Sequence, residues 1–194
     1  DSPNNILTRG IAMKNVLYIL GKLSDDDIEW LINNGSGERY HPGDVLIEEG
    51  VIPENIYLIL EGIFDVISKA INNESIAKIG QGEIVGEMSF VEPYPPYASV
   101  VTDEESFILV INREKLKEKI EHDSGFASRF YFAIAVMLAD RLRTSVQTIK
   151  IAHKKHAEGN DKILAPDELD LDSLHDFSQA GTRFDRIVKR VKGV

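Results

Sequence analysis

Cysteine is absent from the 194 residues of this sequence. Without a thiol the chain can form no disulfide, no thiolate zinc site and no cysteine nucleophile. The five histidines do not fill this gap, because no two of them stand in the His-x-x-x-His spacing that places two ligands on one helix face. We therefore expect no metal site in this protein.

Positive charge and long apolar runs are also scarce. Lysine and arginine number 22 against 32 aspartates and glutamates, for a formal net charge of −10. Nucleic-acid binding depends on cations that neutralise phosphates, so we expect no nucleic-acid partner. No stretch approaches the roughly 20 apolar residues that span a bilayer, and the run 16–20 is too short for a signal-peptide core. These absences predict a cytoplasmic protein.

A helix start is visible near the N-terminus. Ser24 can cap the helix, and Asp27, three residues later, completes a capping-box pattern. Apolar residues then follow at helical spacing until Gly35. We place a helix over 23–34 and treat 1–22 as an N-terminal extension.

Between residues 39 and 112 the pattern changes to short apolar runs separated by glycine, proline and asparagine. The runs are 45–47, 56–60, 63–67, 76–79, 99–102 and 107–111. Many short strands at close spacing predict an antiparallel roll rather than βαβ units. Asn72-Asn73 suits a tight hairpin turn, because asparagine tolerates positive φ. The predicted fold class is α+β, with a jelly-roll-like antiparallel β-roll at 39–112 between an N-terminal helix and a long C-terminal helix.

Helical patterns return after Asn112. A short piece covers 113–120, and after a break at 123–125 an apolar stripe at three- and four-residue steps continues from Phe126 to about Ala152. This stripe is long for a helix that only covers a roll, and it predicts a homodimer through 126–152. Packing on the chain's own roll is the alternative. We favour a mixed role, with the first half on the roll and the second half on a partner.

The last forty residues change character twice. Residues 158–176 carry seven acidic residues and one lysine, which predicts a linker or a short binding motif. Residues 183–194 then carry five basic residues and one acidic residue, with apolar residues on one helical face. Such an end can contact an anionic membrane or an acidic protein. It can also fold back on the chain's own acidic body, which we favour. The predicted domains are 1–22, 23–150 and 151–194, the middle one holding the roll and the helices of 113–150.

The most informative stretch is 85–100, VGEMSFVEPYPPYASV. Gly86-Glu87 follows an apolar strand, a short helix-forming run comes next, and a proline-rich turn leads to Ala98-Ser99. This order is typical of a site for phosphate and ribose, in which backbone N–H groups approach an anion and a carboxylate takes ribose hydroxyls. The arginine for the phosphate is missing, because no arginine occurs between Arg39 and Arg113.

Four turns that contain glycine follow one another in the order found in a known family. They are 40–43 (YHPG), 47–50 (IEEG), 55–62 (NIYLILEG) and 79–87 (IGQGEIVGE). In this order they resemble the cyclic nucleotide-binding domain family, the β-roll of catabolite-activator-type regulators and of the regulatory subunits of cAMP-dependent kinase. The resemblance covers about 17–149 and implies a ligand-binding roll whose following helices move.

The resemblance also implies roles for single residues. Gly86 and the amides of Met88 and Ser89 would face the cyclic phosphate, Glu87 would accept from the ribose 2′-hydroxyl, and Ala98 and Ser99 would lie beside the phosphate. Hydroxyls of the long helix, Thr144 or Ser145, would meet a purine edge. The family's arginine position falls on Pro96, and the candidate substitute cations are Lys78, Arg141 and Arg143. For Lys78 we prefer a solvated strand position, and for at least one of the two arginines a surface position.

The ligand candidates are cAMP, cGMP and a purine nucleoside. A buried phosphate left without its cation costs about 3–5 kcal/mol, so Glu87 without a facing arginine fits a neutral ribose ligand better. The alternative is that Glu87 caps nearby amides and the pocket is empty. Glu87 has no companion acid or base, so we expect no catalytic residue and no enzyme activity. The sequence predicts a stand-alone sensory or regulatory module with a degenerate phosphate site, or alternatively a ligand-free scaffold that keeps only the fold.

Overall fold

The structure, a computed structural model, describes the backbone of residues 19–157 and 171–193 and the side chains of 19–146 and 179–193. Most of the predicted extension 1–22 and the acidic stretch 158–170 lie outside the described residues. The helices are α1 (Asp25–Asn34), α2 (Glu87–Val91), α3 (Arg113–His122), α4 (Ser124–Ala157) and α5 (Leu171–Lys192). The strands are β1 (Gly35–Tyr40), β2 (Val45–Ile47), β3 (Asn55–Glu61), β4 (Ile63–Ser68), β5 (Glu74–Gly80), β6 (Ile84–Val85), β7 (Ser99–Thr102) and β8 (Ser106–Asn112).

Two four-stranded antiparallel sheets form the roll, in the orders β1-β8-β3-β6 and β2-β7-β4-β5. The predicted antiparallel β-roll between flanking helices is therefore confirmed. The hairpin turn at Asn72-Asn73 is also confirmed, because both residues adopt positive φ, 59° and 62°. Among the described helices, none combines the length and the apolar character that crossing a bilayer requires.

Alternation along β3 divides the core in two. Tyr57 and Ile59 point into the roll and pack with Phe64 of the second sheet. Ile56, Leu58 and Leu60 point the other way, as the two-residue period of a strand requires. That outer face is covered by helices, with the buried residues Ile28, Leu31, Leu116, Phe126, Phe130, Ile134, Met137, Phe184 and Ile187. The helices are thus part of the hydrophobic core and not appendages to it.

Helix α1 begins with the predicted capping box. The Ser24 backbone N–H donates to Asp27 Oδ2 at 2.7 Å, and the Asp27 N–H donates to Ser24 Oγ at 3.2 Å. The same carboxylate takes a second partner, because Arg129 Nε and Nη2 donate to its two oxygens at 2.6 and 2.8 Å. Asp27 is only 2% exposed, so this two-point ion pair fixes α1 against α4.

Helix α4 is buried at its start and exposed further along. Phe126, Phe130, Ala133, Ile134 and Met137 lie in the core, which agrees with the predicted contact of the first half with the roll. Leu142 and Val146, in contrast, are 66% and 41% exposed. The predicted homodimer through 126–152 stays a prediction. Leu142 and Val146 are exposed apolar residues that a partner could cover in the second half of the helix, and Tyr131 and Phe132, 45% and 57% exposed, are two more in the first half.

Helix α5 returns to the body of the protein. Ala180, Phe184 and Ile187 are buried, and Val188 and Val191 pack against the same cluster. The predicted apolar face of 183–194 is therefore covered by the chain itself, which corresponds to the fold-back alternative. A contact with a membrane or a partner through this face would first have to uncover it. The sequence boundary at residue 150 does not separate α5 from the core, and the predicted linker 158–176 is helical from Leu171 onward.

Ion pairs also hold α5 against α1 and the roll. Arg183 Nε lies 2.8 Å from Asp25 Oδ1, and its Nη1 donates to the Leu20 carbonyl at 2.8 Å. Further along, Arg190 lies 3.3 Å from Glu29, and Lys192 pairs with Glu61 of β3. The basic face therefore neutralises acidic residues of α1 and the roll.

Helix α5 packs directly on Gly37 of β1. A Cβ at this position would stand 2.5 Å from Val191 Cγ1 and 2.7 Å from Phe107 Cζ. Real Cβ atoms do not approach other atoms this closely, so α5 reaches the sheet because residue 37 has no side chain.

The first prediction concerns the packing of α5 on Gly37. Gly37→Ala should lower the free energy of unfolding by about 1–3 kcal/mol, because α5 must shift to admit the methyl group. Gly181→Ala is the matched control: a Cβ there meets nothing within 4 Å, so it should stabilise α5 by up to about 1 kcal/mol through helix propensity. Urea unfolding measures both. Equal effects of the two substitutions would show that α5 does not rest on Gly37.

The second prediction concerns the stability of the protein at low pH. Burial works to raise the pKa of Asp27, but the hydrogen bonds from Arg129 and Ser24 outweigh it and hold the pKa below its ordinary value. The stability that this carboxylate contributes is therefore complete above about pH 4, the ordinary pKa of an aspartate, and is lost as the pH falls below it. Asp27→Asn should lower stability at pH 7 and flatten its decline in acid, whereas Asp26→Asn, at an exposed neighbour, should do neither. Melting temperatures from pH 7 to pH 3 check this; parallel curves for Asp27→Asn and the parent would contradict it.

Candidate functional site

The stretch from Gly86 to Ser99, which we call the cassette, begins at a forced turn. Gly86 has φ 89°, and a Cβ there would stand 2.9 Å from the Asn55 carbonyl oxygen. Both the left-handed backbone and the close approach require glycine. The turn takes the chain from β6 directly into α2, so that Glu87 occupies the first position of that helix.

Glu87 is buried, with 2% of its surface exposed. Its carboxylate accepts hydrogen bonds from the backbone N–H groups of Glu87 itself and of Met88, and from the guanidinium of Arg141. Burial raises the pKa of Glu87 above its ordinary value, while Arg141 and the two N–H groups act in the opposite direction. The carboxylate that the sequence assigned to a ribose is thus bonded within the chain, as are two of the amides beside it.

Arg141 joins α4 to the cassette through two contacts. Its Nη1 pairs with Glu87 Oε1, and its Nη2 donates to the Ile84 carbonyl at 2.7 Å. The side chain is 28% exposed, so the pair is partly shielded from water. Arg141 was a candidate cation for a phosphate. In the structure it pairs instead with Glu87, the residue expected to bind a ribose hydroxyl.

The other two candidate cations lie elsewhere. Lys78 Nζ lies on the exposed surface of the second sheet, 3.1 Å from Asp65 and 2.8 Å from Asp103. Lys78 is thus paired with two carboxylates in the solvated strand position that we preferred, away from the cassette. Arg143 is exposed, and because it stands two residues from Arg141 it projects from a different face of α4. It does not reach the cassette with Arg141.

The hydroxyls of the predicted site are occupied by backbone groups. Ser89 Oγ donates to the Tyr94 carbonyl at 2.8 Å, and Ser99 Oγ accepts from the Glu49 N–H at 2.9 Å. Ser145 Oγ donates to the Arg141 carbonyl at 2.9 Å, and both Ser145 and Thr144 are exposed on α4. Ser145 lies one helical turn beyond Arg141 and so shares its face.

The remaining cassette residues form an ordered loop. Met88 is 63% exposed and Ala98 is half-buried. The Pro96 carbonyl accepts from the Gly50 N–H at 2.9 Å, which holds the loop against the turn before β3. Tyr94 and Tyr97 lie against each other at 5.4 Å between ring centroids and face solvent. Phe90 points inward instead and packs edge-on against Phe130 of α4, at 5.9 Å.

A polar cleft of about 290 Å³ lies outside the cassette. Its walls include four asparagines and a lysine, namely Asn33, Asn34, Asn55, Asn112 and Lys115. Asn112 is already engaged as the cap of α3, accepting from the N–H groups of Glu114 and Lys115. Across the residues whose side chains are described, no cluster of histidine and carboxylate side chains could hold a metal ion.

The comparison with known proteins identifies the roll. Residues 37–123 match the family model of the cyclic nucleotide-binding domain. The match covers the roll and α3, which are thus similar to cyclic nucleotide-binding domains. Potassium channel KAT3 of Arabidopsis thaliana is similar, 29% identical over 134 residues that make up 69% of this chain and 20% of the channel. The cAMP-dependent protein kinase regulatory subunit of Candida albicans is 32% identical over 103 residues, 49% of this chain and 22% of that protein. The chain thus spans about a fifth of the length of these two relatives.

Solved structures agree on the fold. A cyclic nucleotide-binding domain from Methylobacillus flagellatus superposes with a TM-score of 0.63 at 24% identity, covering 79% of this chain and 86% of that one. The regulatory subunit of a cAMP-independent protein kinase A from Trypanosoma brucei superposes with a TM-score of 0.56 at 23% identity, covering 77% of this chain and 51% of that one. The order of glycine turns in the sequence was therefore a sufficient signal for the fold.

The pairing of Glu87 with Arg141 is the contact at the candidate site that the sequence did not predict. Both residues were named as candidates, but for different parts of a ligand. The pair spans 54 positions along the chain, and no local pattern reveals it. The burial of Glu87, which the sequence did not predict, would have been a signal, because a buried carboxylate requires a cation or several donors.

Proposed function

We propose that this protein is a non-catalytic, cytoplasmic regulatory module in which the cassette controls the position of α4. The observation that carries this proposal is the Arg141–Glu87 pair, which ties the helix to the residue that a ribose would engage. A ligand hydroxyl that bonds to Glu87 competes with the guanidinium. Ligand binding and release of Arg141 are then two sides of one equilibrium.

The charge of the site favours a neutral ligand. No arginine lies between residues 40 and 112, and the one guanidinium that reaches the cassette in the described structure is bound to Glu87. A cyclic phosphate placed here would be desolvated without a facing cation, at a cost of about 3–5 kcal/mol. A purine nucleoside avoids this cost while keeping the ribose contact. We therefore rank a nucleoside ahead of cAMP and cGMP as the ligand of the degenerate phosphate site.

The second half of α4 is the part that would transmit the signal. Arg141 lies at the point where α4 leaves the core, since Met137 is fully buried and Leu142 is 66% exposed. Loss of the Arg141 contact would free the helix from this point onward. A second copy that packs on Leu142 and Val146 would sense the change, which supports the homodimer as the working state.

A ligand-free scaffold is the alternative, and one observation favours it. The Glu87 carboxylate is already paired with Arg141, so it needs no ligand to offset its burial. In this case Arg141 would be a permanent link, and the working surfaces would be those of α4 and α5.

Titration calorimetry of the full chain with adenosine, cAMP and cGMP separates the two functions. We expect adenosine to bind most tightly of the three. Arg141→Gln should strengthen adenosine binding about tenfold or more, because the carboxylate no longer has to be freed first. Glu87→Gln should weaken it by a similar factor, because the ribose loses its charged acceptor. Arg143→Gln, at an exposed neighbour on α4, should leave the affinity unchanged.

The outcomes are distinct. Absence of heat with all three ligands, for both the parent protein and Arg141→Gln, would contradict the sensory function and favour the scaffold. Tight binding of cAMP with none of adenosine would contradict the proposed preference for a neutral ligand.

A further inference from the structure

Three arginine–carboxylate pairs connect α5 to the cassette in series. Arg183 of α5 binds Asp25 of α1 at 2.8 Å. Asp27 of α1 binds Arg129 of α4 at 2.6 and 2.8 Å. Arg141 of α4 binds Glu87 of the cassette. The helix at the far end of the sequence is thus linked to the candidate site through two other helices.

The first two ion pairs of this series meet at one turn of α1. Asp25 and Asp27 belong to its first turn, so α5 and α4 hold the same end of the same helix. The Leu20 carbonyl, just before that turn, accepts from Arg183 as well. A displacement of this turn toward either helix therefore changes the geometry of the other ion pair.

The segment of α4 between the two arginines is rigidly packed. Phe130, Ala133, Ile134 and Met137 are all at most 2% exposed, and Phe130 contacts Phe90 of the cassette helix. A packed segment of about three helical turns moves as a unit. If this segment shifts when Arg141 leaves Glu87, it would displace Arg129 as well, and with it Asp27.

We propose that α5 is an output element of this module, whose docking on α1 loosens when Arg141 separates from Glu87. The coupling is confined to the end of α5 near Arg183. Beyond it, Val191 lies against Gly37 of β1 and Lys192 pairs with Glu61 of β3, while Arg190 pairs with Glu29, one turn further along α1 than Asp25. The module therefore transmits the state of the cassette to residues 179–186, while 187–193 stay docked. The inference rests on the proposed function for the event that moves Arg141, but not for the connection itself.

Hydrogen–deuterium exchange of the full chain without ligand tests the connection. Arg141→Gln should raise the exchange rate of amides in 179–186 about fivefold or more and leave 187–193 within twofold. Arg143→Gln is the matched control on α4 and should change neither segment. Amides of β8, in the centre of the first sheet, serve as the internal reference for global opening.

A second exchange measurement tests the same coupling in the opposite direction. Coupling between two sites acts equally in both directions, so Arg183→Gln should raise the exchange of the cassette amides 87–91, while Arg190→Gln, on the same helix but paired with Glu29, should do so less. Should Arg141→Gln fail to fold, Glu87→Gln removes the same contact at nearly constant shape and is read in the same way.

Unchanged exchange of 179–186 in a folded Arg141→Gln or Glu87→Gln protein would overturn the inference. Equal increases in the Arg143→Gln control would overturn it too, because the effect would not depend on the series. These outcomes are independent of ligand binding: a protein that binds adenosine without any response in 179–186 would keep the proposed function and lose this inference.

Discussion

A buried carboxylate that needs a cation is the constraint on which the candidate site depends. Glu87 stands at the first position of α2 because Gly86 turns the chain there and has no side chain to clash with Asn55. In that position its carboxylate is removed from water, and a lone buried charge is strongly unfavourable. Two backbone N–H groups supply part of the compensation, and the guanidinium of Arg141 supplies the rest. The position of α4 on the roll follows from this requirement as much as from its apolar face.

The hydrophobic core makes that ion pair geometrically possible. Strand β3 sends alternate side chains into the roll and toward the helices, and the helix side is filled by residues of α1, α4 and α5. Phe126 to Met137 fix the line of α4, so that Arg141, one turn later, arrives at Glu87. The arginine then ends the buried part of the helix. A burial pattern that stops at Met137 and an ion pair at Arg141 together define where α4 can bend away.

Much of this architecture is visible in the sequence because local chemistry decides it. Gly86, Asn72-Asn73 and the Ser24–Asp27 capping box each act within a few residues, and each was predicted in its observed role. The family followed from several such turns in a fixed order. The packing of 183–194 on the rest of the chain was also predicted, because this segment is basic and amphipathic and the rest of the chain is acidic.

Contacts between distant residues were not predictable in the same way. Asp27 was assigned to its cap, but its second partner, Arg129, lies 102 residues further along the chain. Gly37 falls between the predicted helix and the predicted roll, and its role depends on Val191 of a helix at the other end of the sequence. For Lys78 the preferred solvated strand position agrees with the structure, but its two partners, Asp65 and Asp103, were not predicted.

The central claim is that Glu87 and Arg141 depend on each other, and a double-mutant cycle tests it most directly. Glu87→Gln, Arg141→Gln and the combined variant are compared with the parent protein by urea unfolding at pH 7. A partly buried pair of this kind should give a coupling energy of about 1–3 kcal/mol, with the double variant losing clearly less stability than the sum of the two single ones. Strict additivity would show that the two side chains act independently and would contradict the account.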